Sequence, residues 1–319
     1  MRQHPFSSAI MDQIKALHFL NNWRGPLAIF EDWAVIFSFI SLSVWTPHFY
    51  PLTLLIIGSR QRALASLFHE SCHTTLMKHR RFNREVGKWG TGYAIFQEYR
   101  TYRKSHVAQH HIFLGNPKRD PDFVNYREEG VLQVQSKKEF FQKFILRTLL
   151  LMNVPQYLMY LWKNRLKNIA RFPIELFNLL IFHGALAAIL TTIAGPWGYA
   201  LYWLLPYFTS FQIIGFLSEI SEHYPLYLTA KTPLELTRNR FASWWERLFV
   251  GMHADHFHLT HHLFVGLPFW HLKKAHHILM KDSTYASFNQ IQGGILSSPK
   301  GRISSLRQII TFIEDQQKP

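Results

Sequence analysis

The chain has 319 residues, 48% of them hydrophobic and 16% aromatic, with 35 Lys and Arg against 20 Asp and Glu for a formal charge of +15. Such an aromatic content with so large a positive excess is rare in a soluble enzyme. It fits either a nucleic-acid binder or a membrane protein with a basic inner face. The single cysteine, Cys72, excludes an internal disulfide, a cysteine-ligated iron–sulfur cluster and a Cys-type structural zinc site.

The first residues lack the charged start, apolar run and cleavage site of a signal peptide. A spanning helix needs about 20 mostly apolar residues. Residues 27–45 and 50–68 make a first pair of candidates, the second interrupted by Arg60 and Arg62, which must face protein or the interface. Residues 173–193 and 197–220 make a second pair. The short breaks "TPHFYP" and "AGPWGY" are turn-like, so each pair reads as a helical hairpin. Residues 140–162 tempt a fifth span, but Lys143, Arg147 and Pro155 argue for an amphipathic helix at the interface. The hairpin turns hold no Lys or Arg, whereas "KHRRFNR" at 78–84 and "KNRLKNIAR" at 163–171 are strongly basic. Basic residues stay on the cytoplasmic side. The expectation is an all-α integral membrane protein: a single domain, 1–319, of four transmembrane helices in two hairpins. Both termini and a helical cap of residues 69–172 and 221–319 are then cytoplasmic. The basic residues flank apolar spans instead of forming one module, which sets nucleic-acid binding aside.

The histidines fall into clusters at one level of this topology. His69 and His73 lie in "HESCH", with Glu70 between them; His106, His110 and His111 lie in "HVAQHH"; His223 follows the fourth span; His258, His261 and His262 lie in "HLTHH". Residues three and four apart on a helix share a face, so each box presents its imidazoles in one direction. Nine imidazoles exceed what one metal takes and suit two, with imidazole favouring Zn, Cu, Fe or Ni. Two adjacent redox metals suggest oxygen activation, most plausibly by iron. His4, His18, His48, His79, His183, His271, His276 and His277 stand alone and read as polar caps or packed side chains. "HESCH" by itself satisfies the HExxH pattern of zinc proteases, with Glu70 as base. Such a site needs one more ligand and has no use for the other clusters.

With these boxes on view, the chain resembles the membrane-bound fatty acid desaturases and their relatives, the lipid hydroxylases and carotenoid hydroxylases and ketolases. The resemblance rests on "HESCH", "HVAQHH" and "HLTHH" in order and runs from about Gly58 to Trp270. It implies a non-haem centre of two iron ions held by the box histidines and His223, with O2 as co-substrate. It implies two electrons from a separate carrier of ferredoxin or cytochrome b5 type, and a lipid or acyl substrate drawn from the bilayer. Glu70 then supports an imidazole, as does Glu222 in the "EH" before the cap. Glu219 stands where some members carry an Asn, its role open. Asp120 and Asp122 in "RDPD" either orient second-box histidines or simply form a Pro-punctuated turn. An acyl tunnel between the spans is expected to be lined by Phe208, Phe211 and Phe216. The activity this implies is desaturation of a lipid acyl chain. Hydroxylation or ketolation on the same centre, an intramembrane zinc protease and a non-catalytic metal-binding protein are the alternatives.

Overall fold

The computed structural model describes residues 4–162 and 171–316, so most of the expected basic block at 163–171 lies outside the described residues. In chain order the principal helices are α1 (Ser8–Lys15), α2 (Arg24–Trp45), α3 (Tyr50–His73), α4 (Arg80–Gly87), α5 (Tyr99–Ser105), α6 (Pro121–Glu128) and α7 (Pro173–Ala194). They continue with α8 (Ser210–His223), α9 (Trp244–Phe249), α10 (His258–Leu263), α11 (Phe269–Leu279), α12 (Ser283–Gln290) and α13 (Ser305–Asp315). Among the described residues the only β contact is an isolated bridge between Gln292 and Ile303.

Three helices are long and apolar enough to cross a membrane: Arg24–Trp45, Pro173–Ala194 and the run Ala200–Thr229 that contains α8. They carry the first, third and fourth expected spans; the ends agree within three residues except the last, where the run continues to Thr229 instead of stopping at Ile220. The last is irregular: a π-helical turn at Ala200–Leu204 and a break at Thr209 precede α8. The second expected span lies inside α3, which is long enough, but its polar stretch Arg60, Gln61 and Arg62 makes it less apolar than the other three. Residues 140–162 form short helical pieces, Phe141–Leu146, Arg147–Leu149 and Val154–Leu161, broken by turns at 150–153. Their exposed Leu146, Leu149, Leu150, Met152, Leu158 and Met159 give an apolar outer face.

The chain separates into two compact units. The first comprises residues 22–104 and 142–215. Here α2 and α3 form an antiparallel pair joined by a single turn at Pro47–Phe49. Ile36, Ile40, Ile57, Leu64, Leu186, Leu190 and Trp203 make the core, and Trp33 stacks on Trp203 with ring centroids 5.2 Å apart. Arg60 is accommodated by Asp32 of α2, which is fully buried and 3.2 Å away, and Arg62 bonds Ser66. Both arginines of the second expected span therefore face protein. Phe30, Ile174, Phe177 and Leu180 are more than half exposed, the inside-out pattern of helices in lipid.

The second unit comprises residues 1–21, 105–141 and 216–319. Ile10, Ile14, Leu17, Phe257, Leu259, Leu267, Leu272, Leu279 and Tyr285 form its core. Leu259 anchors the back of α10 in that core, which leaves the neighbouring histidines free to face the other way. Glu246 pins α9 in place by accepting the backbone amides of Ile295, Leu296 and Ser297.

Candidate metal centre

Within the unit of residues 105–141 and 216–319, seven histidines gather into two sets. His110, His223, His258 and His262 each offer a nitrogen within 4.8 Å of the others. His106, His111 and His261 do the same beside them. The sets adjoin: the His111 and His262 rings are 4.2 Å apart and the His110 and His111 rings 5.5 Å.

The boxes therefore do not each present one face, as helical spacing had implied. The second box lies in a π-helical turn, His106–His110, whose closing bond runs from the His111 amide to the His106 carbonyl. The wider turn brings residues five apart into register, so His106 and His111 converge with Nε2 atoms 3.1 Å apart, while His110 joins the other set. Such π-turns recur at functional sites. The third box divides as well. In α10, His258 and His262 are one turn apart with Nε2 atoms 3.0 Å apart, and His261 points to His111 at 3.3 Å.

The nitrogens suit a cation. The His223 Nδ1 is 3.3 Å from the Leu236 carbonyl and donates to it, which leaves Nε2 as a bare lone pair. That lone pair is 3.0 Å from the Nε2 of His258. The His110 Nε2 is buried with no hydrogen-bond partner in the protein. Neighbouring imidazole nitrogens cannot all donate to one another, and a shared metal ion is what gives such a set a common partner.

Protonation points the same way. Burial, aided by neighbouring imidazoles, pushes His258 and His262 well below the usual histidine range. Burial brings His261 down to about 4. These rings are neutral near pH 7, the form that binds metal. Burial would lower His110 too, but the carboxylates of Asp122 and Asp120 outweigh it and raise its pKa to about 9. A metal bound there has to displace a proton.

Each expected carboxylate can be placed. Asp120 accepts the His110 Nδ1 at 2.9 Å and also caps α6 through the Asp122 amide, so the "RDPD" turn is both a turn and an imidazole support. Asp122 lies 3.1 Å from the same Nδ1. Glu222 is 3.4 Å from the His258 Nε2 and 2.9 Å from Arg240, an ion pair without a linear hydrogen bond. Glu219 has an exposed side chain and belongs to no ligand group among the described residues; its carbonyl accepts the Tyr126 hydroxyl.

The first box belongs to the other unit. His69 and His73 sit on the last turn of α3 with ring centroids 4.7 Å apart. The buried carboxylate of Glu70 accepts the Thr75 hydroxyl at 2.7 Å, just past the left-handed Thr74 that ends the helix. The terminal carbonyls of α3 are held from outside, Ser71 by Asn83 and Tyr99, and Cys72 by Arg103. Cys72 is fully buried and packs, as expected. The aromatics expected to line a tunnel pack locally: Phe208 and Phe211 against Tyr207, and Phe216 against Phe140.

Of the solitary histidines, His4 pairs with Asp282, His79 caps α4, and His183 bonds the Tyr93 carbonyl and Tyr199 hydroxyl. His276 meets the Tyr285 hydroxyl. Sequence reasoning missed Thr237, Arg238, Asn239 and Arg240, all fully buried beside the ligands. Their only signal was four polar residues in a row, which ordinarily marks a solvated loop.

An all-helical chain with membrane-length apolar helices and two adjoining histidine sets defines a desaturase-type oxidoreductase, and the chain belongs to the fatty acid desaturase family, whose family model matches residues 43–292. It is 34% identical over 321 aligned positions to the dihydrorhizobitoxine desaturase of Bradyrhizobium elkanii, covering 95% of this chain and 89% of that one.

Proposed function

We propose that this protein is a membrane di-iron desaturase that inserts a double bond into a lipid acyl chain with O2 and two electrons. One iron is assigned to His110, His223, His258 and His262. The other is assigned to His106, His111 and His261, with His69 and His73 added because their box completes the family pattern. The observation that carries the reading is the convergence of imidazole nitrogens of His223, His258 and His262, with contacts of 3.0 Å and the buried Nε2 of His110 among them.

When bound, a pair of irons supplies O2 activation strong enough to oxidise an unactivated CH2–CH2 unit. Overall, CH2–CH2, O2, two electrons and two protons give CH=CH and two waters. The chain's own contribution is to hold imidazoles in place: Asp120 fixes the His110 Nδ1, and the Leu236 carbonyl fixes that of His223. Glu222, held by Arg240, sets a negative charge beside His258. The apolar helices admit a lipid chain, and positive-inside charge puts four spans across the bilayer with the centre and both termini cytoplasmic. A small acidic electron carrier, ferredoxin or cytochrome b5-type, docks on that basic face. The four-histidine set by itself exceeds the two ligands and one extra group of an HExxH zinc protease, which also leaves the second set without a task.

A second reading of the substrate is favoured by the relative named for dihydrorhizobitoxine, because that match covers nearly the whole chain. Purified protein and a host expressing wild type or His261→Ala test both. Two irons, with a new double bond in host lipids made only by wild type, support the first reading. Unchanged lipids with conversion of supplied dihydrorhizobitoxine support the second. An alcohol product means hydroxylation on the same centre, and one zinc with no iron refutes the centre.

A further inference from the structure

Four consecutive polar residues, Thr237, Arg238, Asn239 and Arg240, are at most 1% exposed, yet they form no helix or strand. Burying four polar side chains in a row is costly unless each finds partners. Their partners lie on the two elements that carry the best-defined ligands.

Toward α8, the Thr237 hydroxyl and the Arg238 amide both donate to the Glu222 carbonyl, at 3.0 and 3.2 Å. The Arg238 guanidinium donates to the Tyr224 carbonyl at 2.8 Å. These bonds grip the residues on either side of His223, whose ring is itself fixed by the Leu236 carbonyl one residue upstream of the run. Toward α10, the Asn239 Oδ1 accepts the Thr260 amide at 3.1 Å. Thr260 is the third residue of α10, so Asn239 supplies from outside the helix the cap that Phe257, at the N-cap, has no side-chain oxygen to give. The Asn239 amide then donates to Tyr285 and Asn289, each at 2.8 Å, and the Tyr285 hydroxyl also meets the Thr260 hydroxyl at 2.8 Å. Arg240 ties both sides, with Glu222 at 2.9 Å and Asp255 at 2.6 Å.

We propose that Thr237–Arg240 is a positioning brace that sets His223 and the third histidine box in one register, with Asn239 as its central member. The brace acts through the histidines and touches no reacting atom. It explains why a run of polar residues is buried here: it bonds both ligand-bearing turns, and Arg238 and Asn239 also tie it outward to Gln308, Tyr285 and Asn289. Outer partners of this kind change metal affinity about ten- to a hundredfold when removed. The inference rests on the proposed iron centre.

The test is Fe(II) binding to the metal-free full-length protein in detergent, by chelator competition, with Mössbauer spectra of the loaded protein and thermal unfolding in parallel. Asn239→Leu keeps volume and loses every hydrogen bond of the amide. Iron affinity of its folded fraction is expected to fall at least tenfold, with a changed Mössbauer spectrum. Asn239→Asp, which keeps the oxygen that caps Thr260, recovers most of the loss. Tyr285→Phe removes one hydroxyl and weakens iron binding less; it carries the comparison if Asn239→Leu does not fold. Wild-type affinity and an unchanged spectrum in the folded variants, whatever their melting temperature, overturn the brace. Absence of iron binding in wild type overturns the iron centre instead.

Discussion

Replacing Asp120 by Asn removes one negative charge at the centre. The carboxylate has three tasks: it accepts the His110 Nδ1 at 2.9 Å, accepts the Gly115 amide at 2.9 Å, and caps α6 through the Asp122 amide at 3.0 Å. Asn has nearly the shape of Asp and caps helices equally well, so its single oxygen keeps the Asp122 cap and the contact to His110, while its amide nitrogen, which can only donate, faces the Gly115 amide and loses that bond. What changes at His110 is the charge opposite it. A hydrogen bond to a charged group contributes about 1.5–3 kcal/mol and a neutral one about 0.5–1.5 kcal/mol, so the loss is about 1–2 kcal/mol. That corresponds to about a five- to thirtyfold weaker site, since 1.4 kcal/mol is a factor of ten.

The assay is again Fe(II) affinity of the metal-free protein, with unfolding temperature as the control. Asp120→Asn should weaken iron binding by that factor and lose only about 1 kcal/mol of stability, through the Gly115 amide. Asp120→Ala should lose affinity and also about 1 kcal/mol of stability through the missing cap. An Asp120→Asn protein that binds iron within twofold of wild type would refute the argument. The short contact to His110 would then be a packing consequence of the turn and would not tune the ligand.

Other perturbations test the frame that holds the centre. A Cβ at Gly58 would sit 2.5 Å from the Phe211 amide nitrogen and closer still to the Ser210 hydroxyl. Gly58→Ala should therefore cost about 1–3 kcal/mol, read as a lower melting temperature; unchanged melting would show that the two segments part easily. Asp32→Ala removes the carboxylate opposite Arg60 and should cost about 3–5 kcal/mol, most of which the double variant Asp32→Leu, Arg60→Met should restore. Burial, with His277 and Arg302 nearby, lowers the His276 pKa from 6.5 to about 4. A depressed histidine binds its proton less readily folded than unfolded, so its stabilisation is present above pH 6.5 and lost as pH falls toward 4. The ceiling is about 3 kcal/mol, and His276→Gln should flatten stability over that window.

The frame was legible because its signals are local. Long apolar stretches marked three membrane-length helices, with every end but the last within three residues of that observed. Arg60 and Arg62 marked the one helix whose polar middle needed protein partners, and Asp32 and Ser66 supply them. Among the solitary histidines, His79 caps a helix and His183 packs inside, as expected for isolated polar residues, whereas His48 is exposed. The buried run at 237–240 was not legible, because composition distinguishes polar from apolar but not a solvated loop from a satisfied interior one.

The division of the boxes was hidden for a sharper reason. Which histidines share a face depends on the turn that carries them, and one residue of difference in the turn reassigns every ring. In an α-helix His106 would pair with His110; the π-turn pairs it with His111 and gives His110 to His223. The third box stays α-helical, and His261 leaves the His258–His262 face because three residues fall short of a full turn. Two boxes with different turns thus each feed both sets. Adjacent histidines in the HH pairs 110–111 and 261–262 cannot share a face in either geometry. The doubled histidine that ends each of these two boxes is therefore the sequence mark of two neighbouring histidine sets, one ring for each. A single-metal reading leaves one member of each pair without a task.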